Sequence, residues 1–168
     1  MQRTIHRLCL IVTVALTVGL VAPHSVHAAP ARTPAASKAG AATLYYRTTE
    51  RFLEVKRRHP AGYNWTDDGC SVPPALRVSL PALRYASTMF AHQCAQHDFA
   101  YRNFGGSLHL DPSESRRASV DRFFYAQMRD RCHLPDVARA HHLRRCLFYA
   151  RVFYLAVRAF GRLSPAAR

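Results

Sequence analysis

The sequence predicts an all-α protein of three or four helices, in which two long, disulfide-stapled helices carry a histidine and an aspartate on their buried faces. Three observations predict this class. Apolar residues recur at three- and four-residue spacing in several segments, no useful stretch alternates as a strand does, and the cysteines are suited to disulfides. The 168 residues, 49% hydrophobic and 20% charged, have the composition of one ordinary globular domain.

The N-terminal segment has the features of a secretion signal. Arg3 and Arg7 precede an uncharged apolar run over residues 8–22, and the segment ends near Ala28. This pattern predicts a signal peptide over residues 1–28 and therefore a secreted protein. The run is shorter than the roughly 20 apolar residues that span a bilayer, so a membrane anchor is less favoured.

Residues 29–42 are mostly Ala, Pro, Ser, Thr and Gly, too poor in large apolar groups to build a core. They predict a flexible tail, which places the folded domain at residues 43–163. Its first amphipathic helix is expected over Thr43–His59, basic on its outer faces, and we interpret it as a surface helix rather than a membrane-facing one. Residues 60–74 contain Gly, Pro and Asp and predict a loop.

The second predicted helix begins near Ser79 and Pro81 and ends at Gly105. Its apolar face comprises Leu83, Ala86, Phe90, Cys94, His97 and Tyr101. The imidazole of His97 is therefore expected to be buried.

The third helix follows a capping-box-like arrangement of Asp111 and Glu114. Its buried stripe is expected to contain Val120, Asp121, Phe124, Met128 and Cys132. The last helix is predicted from Asp136 to Phe160, where Gly161 ends it. Its inner face is expected to present Ala140, Cys146, Ala150, Phe153, Val157 and Phe160.

Removal of the signal peptide takes away Cys9 and leaves an even number of cysteines: Cys70, Cys94, Cys132 and Cys146. In a small secreted protein this indicates two disulfides. Three pairings are possible, and sequence neighbours, Cys70 with Cys94 and Cys132 with Cys146, are the simplest. An alternative takes Cys132, His141, His142 and Cys146 as zinc ligands, although their spacing fits no established zinc pattern and an oxidising compartment favours disulfides.

The chain has 24 Lys and Arg but only 10 Asp and Glu, so a carboxylate on a buried face is informative. A buried carboxylate is unfavourable unless it has a hydrogen-bonding or charged partner. Asp121 and His97 both lie on predicted buried faces and form a candidate pair, in which the carboxylate orients the ring and leaves one nitrogen free to take a proton. Asp68, Asp98 and a loop carbonyl form a candidate oxygen site for calcium.

Three blocks of sequence, taken in order, carry a more specific signal. The first is Trp65 followed by Asp68-Gly69-Cys70, and the second is the run 94–103 with its His-Asp-x-x-Tyr core. The third begins at Asp121 and continues through Phe124, Tyr125 and Met128. Together they resemble the secreted phospholipases A2, particularly the compact bacterial and fungal branch. The resemblance covers residues 63–161.

The resemblance implies hydrolysis of the sn-2 ester of glycerophospholipids, giving a fatty acid and a lysophospholipid. It implies that His97 is the general base that activates water, that Asp121 orients it, and that Tyr101 supports the pair by hydrogen bonding. A small helical bundle is the fold that the resemblance implies.

The resemblance also implies a Ca²⁺ site formed by the carboxylates of Asp68 and Asp98 and the main-chain carbonyl of Gly69. Glycine stands where the bacterial branch usually has a larger apolar residue; this leaves a main-chain ligand intact but raises the loop's entropy. The neighbouring Asp67 adds charge and is a possible substitute ligand.

The formal charge of +14 favours anionic partners. We expect a monomer that acts on a phospholipid membrane or micelle surface, with anionic lipids preferred. An alternative is a catalytically silent cationic membrane- or polyanion-binding protein on the same scaffold. Specific nucleic-acid binding is not expected, because the basic residues are scattered and no stacking motif accompanies them.

Overall fold

The structure is a computed structural model that describes residues 35–70, 81–138 and 140–163. Within these ranges every regular element is helical, which confirms the predicted class. The elements are α1 (Lys38–Tyr45), α2 (Thr49–Lys56), α3 (Pro81–Met89), α4 (Ala91–Ala100), a π-helical turn (Tyr101–Gly105), α5 (Glu114–Cys132), α6 (Ala140–Phe160) and a 3₁₀ turn (Gly161–Leu163). The predicted signal peptide, residues 1–28, lies outside the described residues.

The long helices α5 and α6 run antiparallel and make the largest helix–helix contact in the described part of the chain. At one end, Arg117 of α5 donates a hydrogen bond to the carbonyl of Val157. At the other end, the Cys132–Cys146 disulfide joins the last residue of α5 to α6. The two helices are therefore held at both ends.

The predicted inner stripe of α5 is confirmed. The buried residues of this helix are Val120, Asp121, Phe124, Met128 and Cys132. The cap differs from the predicted arrangement, because Ser113 rather than Asp111 is the N-cap and accepts a hydrogen bond from the backbone of Arg116. Asp111 instead forms an ion pair with the side chain of Arg116 at 2.9 Å.

The helix predicted over Thr43–His59 is two helices, α1 and α2. Thr48 ends the first by capping the second, since its hydroxyl accepts a hydrogen bond from the backbone of Arg51. The side-chain amide of Gln96 on α4 donates to the carbonyls of Tyr45 and Arg47 and so satisfies the backbone at the break. This contact joins residues that are far apart in sequence, so the local spacing of apolar residues could not predict the break.

The boundary of the predicted tail is also corrected. Residues 38–42, assigned to the tail, lie in α1, where Ser37 is the N-cap and Ala41 is fully buried. The aromatic side chain of Tyr63 packs close to Gly40, so that a Cβ at this position would overlap its hydroxyl. The start of the folded region is therefore held by contacts that only a small residue permits.

The second predicted helix is divided at Phe90 into α3 and α4, and a π-helical turn follows at Tyr101–Gly105. Phe90 is fully buried and packs edge-to-face on Phe153 of α6. His97 and Tyr101 remain on the buried side, as predicted.

The last helix begins at Ala140, four residues after the predicted start at Asp136. Asp136 lies in a turn, where its carboxylate accepts two hydrogen bonds from the guanidinium of Arg131. Cys146, Ala150 and Phe153 are buried as predicted, but Phe160 is 67% exposed and does not belong to the core.

Both disulfides have the simplest predicted pairing, Cys70–Cys94 and Cys132–Cys146. The zinc interpretation is therefore wrong, because the two sulfurs that it required are bonded to each other. Cys70–Cys94 ties the loop before residue 71 to α4. No helix in the described ranges is both long and apolar enough to cross a membrane.

Candidate active site

His97 of α4 and Asp121 of α5 meet where the two helices pack together. The Nε2 atom of His97 lies 2.9 Å from Oδ1 of Asp121. The imidazole is held between two aromatic rings, with centroids 4.3 Å away for Tyr101 and 4.5 Å for Phe124. Since Nε2–H donates to the carboxylate, Nδ1 is the nitrogen that carries the lone pair.

Tyr101 follows His97 by one helical turn, and its hydroxyl donates to the same oxygen, Oδ1 of Asp121, at 2.8 Å. Burial, together with the charge of Asp121, raises the pKa of Tyr101 well above its usual value, so the hydroxyl stays protonated and remains a donor. The structure therefore brings together His97, Asp121 and Tyr101, the two residues of the predicted pair and the tyrosine expected to support it.

Two arginines complete the surroundings of Asp121, and sequence reasoning missed both of them. Nη1 of Arg158 on α6 lies 2.8 Å from Oδ2, and Nη1 of Arg117 lies 3.3 Å from the same atom. Arg117 had a local signal, because it precedes Asp121 by four residues on one helix face. Arg158 is 37 residues away in sequence and had no comparable signal.

Burial and these four partners together decide the ionisation state of Asp121. Burial alone would raise the pKa of this fully buried carboxyl, but hydrogen bonds from His97, Arg158 and Tyr101 lower it below its ordinary value. Asp121 is therefore a carboxylate, the form that fixes the tautomer of His97 and stabilises a protonated ring.

Glu114, in the first turn of α5, holds the arginines in place. Its carboxylate accepts hydrogen bonds from Arg117 at 2.8 Å, from Arg158 at 2.8 Å and from Arg162 at 2.7 Å. The guanidinium groups of Arg117 and Arg158 thus bridge an exposed acid and the buried Asp121. This bridge joins α5 to the end of α6.

The predicted calcium residues also lie together. The backbone N–H of Asp68 donates to Oδ2 of Asp98 at 3.0 Å, which places the loop against α4 one residue after His97. Gly69 has φ of +70°, a left-handed conformation that glycine adopts without strain. The Cys70–Cys94 disulfide fastens the next residue of the loop to the same helix.

The electrostatics of this loop fit a cation. Asp98 is 8% exposed, and burial together with the neighbouring Asp68 carboxyl raises the pKa of Asp98 to about 8. Two carboxyls and a main-chain carbonyl are hard oxygen donors of the kind that calcium prefers. A guanidinium nitrogen of Arg102 lies 3.6 Å from Oδ2 of Asp68.

Asp67, the possible substitute ligand, is occupied elsewhere in an ion pair with Lys56. Among the described residues no group of three or more His, Cys, Asp or Glu side chains forms a metal cluster. A cation bound by Asp68, Gly69 and Asp98 would therefore also need main-chain or water oxygens, as calcium sites commonly do.

Known proteins resemble this chain over most of the described residues. The sequence model of a family described as prokaryotic phospholipase A2 matches residues 41–161, which include every residue of the candidate site named above except Arg162. A curated secretory phospholipase A2 of Beauveria bassiana is 34% identical over 111 residues, 66% of this chain and 50% of the relative. The chain thus spans about half the length of that relative.

Proposed function

The chain belongs to the prokaryotic phospholipase A2 family, and from this premise we propose that it is a secreted, calcium-dependent phospholipase A2. It hydrolyses the sn-2 ester of glycerophospholipids to a fatty acid and a lysophospholipid. The observation that carries the proposal is the buried His97–Asp121 hydrogen bond on α4 and α5, with the acids Asp68 and Asp98 held beside it.

His97 acts as the general base. Its Nδ1 takes a proton from water as the water oxygen attacks the ester carbonyl carbon, and the same proton is then given to the departing alkoxide of the lysophospholipid. Asp121 stabilises the imidazolium that forms in between. Tyr101 and Arg158 keep Asp121 ionised and correctly oriented by their hydrogen bonds to its two oxygens.

Asp68, the carbonyl of Gly69 and Asp98 are the residues that would hold Ca²⁺. The chemistry that Ca²⁺ would supply there is polarisation of the ester carbonyl and positive charge for the phosphate of the substrate. Asp98 sits directly after His97 on α4, so one helix positions both the base and a cation ligand. The disulfide from Cys70 to Cys94 keeps the loop ligands in register with that helix.

Secretion and membrane action complete the proposal. The predicted signal peptide over residues 1–28, the two disulfides and the secretory description of the Beauveria bassiana relative support an extracellular protein. The charge of +14 supports a preference for anionic phospholipid surfaces, on which we propose that the protein acts as a monomer.

The test measures fatty acid released from phospholipid vesicles by the oxidised protein, first titrated with calcium and then treated with chelator. His97→Gln should lower the rate by about 10²–10⁴-fold, the usual contribution of a general base. The matched control is His92→Gln, the same change at an exposed position of α4. Asp68→Asn should raise the calcium concentration needed for activity, whereas Asp67→Asn, one residue earlier, should not.

No release by the folded protein across lipids and calcium concentrations would overturn the enzyme proposal. If the same preparation still bound vesicles, and His97→Gln bound equally well, the catalytically silent cationic binding protein would be the correct interpretation. Activity that survives the chelator would contradict the calcium site but would leave the enzyme proposal in place.

A further inference from the structure

The outer side of α6 combines arginines with large apolar side chains. Arg144, Phe148, Arg151 and Leu155 are spaced by four, three and four residues and therefore form one stripe along the helix. All four are exposed, and Phe148 and Leu155 are 62% and 51% exposed. The two apolar side chains lie two helical turns apart on one side of α6, with Arg151 between them.

The neighbouring helix α3 extends this stripe. Tyr85 of α3 is exposed, and the guanidinium carbon of Arg145 on α6 lies 5.3 Å from the centroid of its ring. We call the combined surface the α6 face, and it consists of Tyr85, Arg144, Arg145, Phe148, Arg151 and Leu155.

The positive charge of the α6 face is not neutralised locally. Neither α3 nor α6 contains an aspartate or a glutamate. Asp136, which lines a surface cavity with Tyr85, is ion-paired with Arg131 at 2.7 Å. In the described ranges no ion pair involves Arg144, Arg145 or Arg151. The α6 face therefore presents uncompensated cations around apolar side chains.

We propose that the α6 face is the surface by which the protein docks on anionic phospholipid. Arginines interact favourably with a negatively charged lipid surface, while Phe148 and Leu155 enter the boundary between headgroups and acyl chains. A nucleic acid or other hydrated polyanion would satisfy the arginines but would offer no apolar phase to these two side chains. A two-fold contact with a second copy would bring the same arginines together, which is unfavourable.

The inference rests on the proposed function, because it identifies the contact between the enzyme and its substrate phase. It also connects that contact to the site, since α6 carries Arg158 near its C-terminal end, and Arg158 donates to Asp121. The helix that meets lipid is thus the helix that supports the partner of His97.

The first experiment measures binding to vesicles of ether-linked phosphatidylglycerol and phosphatidylcholine, which have no ester to hydrolyse. Arg144→Gln with Arg151→Gln should lower the partition coefficient roughly thirty-fold, from the usual contribution of two basic residues near an anionic surface. The matched control is Arg57→Gln with Arg58→Gln, the same charge change on exposed residues after α2, which should lower it less than about threefold.

The apolar part is tested by Phe148→Ser against Phe160→Ser. Phe160 is similarly exposed but lies more than a quarter-turn around α6 from the stripe, so only the first change should weaken binding. Phe148→Trp should give a blue-shifted emission with anionic vesicles and be quenched by brominated acyl chains. Trp65 is the one native tryptophan, and the unmodified protein provides its background signal.

Two results separate this inference from the proposed function. The variants of the α6 face, Arg144→Gln with Arg151→Gln and Phe148→Ser, should hydrolyse a monomeric short-chain phosphatidylcholine as the unmodified protein does. The same variants should lose activity on anionic vesicles. If no variant or parent hydrolyses any lipid, but the ether-lipid results hold, the enzyme proposal fails and the docking surface stands.

Equal vesicle binding by the face variants and the Arg57/Arg58 control would overturn the docking surface. So would a dimer in sedimentation experiments that Phe148→Ser dissociates, because this result would assign the α6 face to a second copy. Circular dichroism of each variant establishes that these exposed substitutions leave the helices intact.

Discussion

Arg158 donates a hydrogen bond from Nη1 to Oδ2 of Asp121 at 2.8 Å, while His97 occupies the other carboxylate oxygen at 2.9 Å. The residue that orients the candidate base is therefore itself oriented from a third helix. Because α6 is tied to α5 by a disulfide at the opposite end, the position of Arg158 depends on the packing of both long helices along their length.

Replacing Arg158 should weaken both the fold and the reaction. Arg158→Gln removes a charged donor from a fully buried carboxylate, and we expect the free energy of unfolding to fall by about 1–3 kcal/mol. We also expect kcat to fall with little change in KM, because Arg158 acts through Asp121 and does not contact substrate. Urea unfolding and hydrolysis kinetics measure the two effects.

The control is Arg162→Gln. Arg162 binds Glu114 but not Asp121, and its side chain is mostly exposed, so its replacement should change stability by less than about 0.5 kcal/mol. If both variants behaved alike in stability and kcat, the contact of Arg158 with Asp121 would have no special role.

Gly161 is expected to be sensitive to the smallest enlargement. A Cβ at this position would overlap the hydroxyl of Tyr101, the group that donates to Asp121. Gly161→Ala should therefore displace Tyr101, lower stability by about 1–3 kcal/mol and reduce activity.

A double-mutant cycle checks the cause. Tyr101→Phe keeps the ring against His97 but removes the overlapping oxygen, so the loss from Gly161→Ala should be smaller in that background than in the unmodified protein. Strictly additive losses would indicate that Gly161 acts on something other than Tyr101.

The two disulfides should contribute similarly to stability and differently to calcium binding. They close loops with sequence separations of 24 and 14, for which chain-entropy arguments give about 3 kcal/mol each. Only Cys70–Cys94 fastens the loop that carries Asp68 and Gly69. We expect the Cys70→Ser/Cys94→Ser variant to lose calcium affinity, and the Cys132→Ser/Cys146→Ser variant to retain it.

Isothermal titration with calcium, and urea unfolding of each folded variant, measure these effects. The opposite pattern, with affinity lost only when the Cys132–Cys146 bond is removed, would contradict a calcium site at the first loop.

Glu114 should make stability depend on pH in the acid range. Hydrogen bonds from Arg117, Arg158 and Arg162 hold the pKa of Glu114 far below its usual value in the folded protein. A depressed folded pKa contributes stability above the unfolded value of about 4.3, and this contribution is lost as the pH falls. The advantage of the native protein over Glu114→Gln should therefore shrink below about pH 5.

Thermal unfolding over a pH series measures this difference. Glu50→Gln, the same substitution in the first turn of α2, is the matched control and should show no comparable narrowing. If the difference in thermal stability between the native protein and Glu114→Gln stayed constant as the pH fell, the arginine–Glu114 network would not be the source of that difference.

The features that sequence analysis predicted well are local ones. All five predicted inner residues of α5 are buried, and His97 and Tyr101 lie on the buried side of α4 and the turn after it. The pairing of sequence-adjacent cysteines is also correct, since each closes a short loop between neighbouring elements. The roles assigned to the site residues stay predictions, although their positions meet the geometric needs of those roles.

The errors occurred where a distant contact overrides local spacing. One long helix was predicted through Thr48, but Gln96 from α4 satisfies the carbonyls exposed by a break there. Asp136 was assigned to the last helix, but Arg131 holds it in the preceding turn. The prediction that Phe160 is buried was wrong, because the end of α6 extends beyond the core against which the rest of the helix packs.

The sequence alone determined the buried faces of α4 and α5, because a period of 3.6 residues is a property of each segment by itself. The predicted burial of His97 and Asp121 on two such faces made them a candidate pair, since a buried carboxylate is unfavourable without a partner. The tertiary structure decided that Arg158 and Arg117 converge on Asp121 and that Glu114 bridges them. Such contacts depend on how α5 and α6 lie against each other, which is set by packing and a disulfide across the whole helix pair.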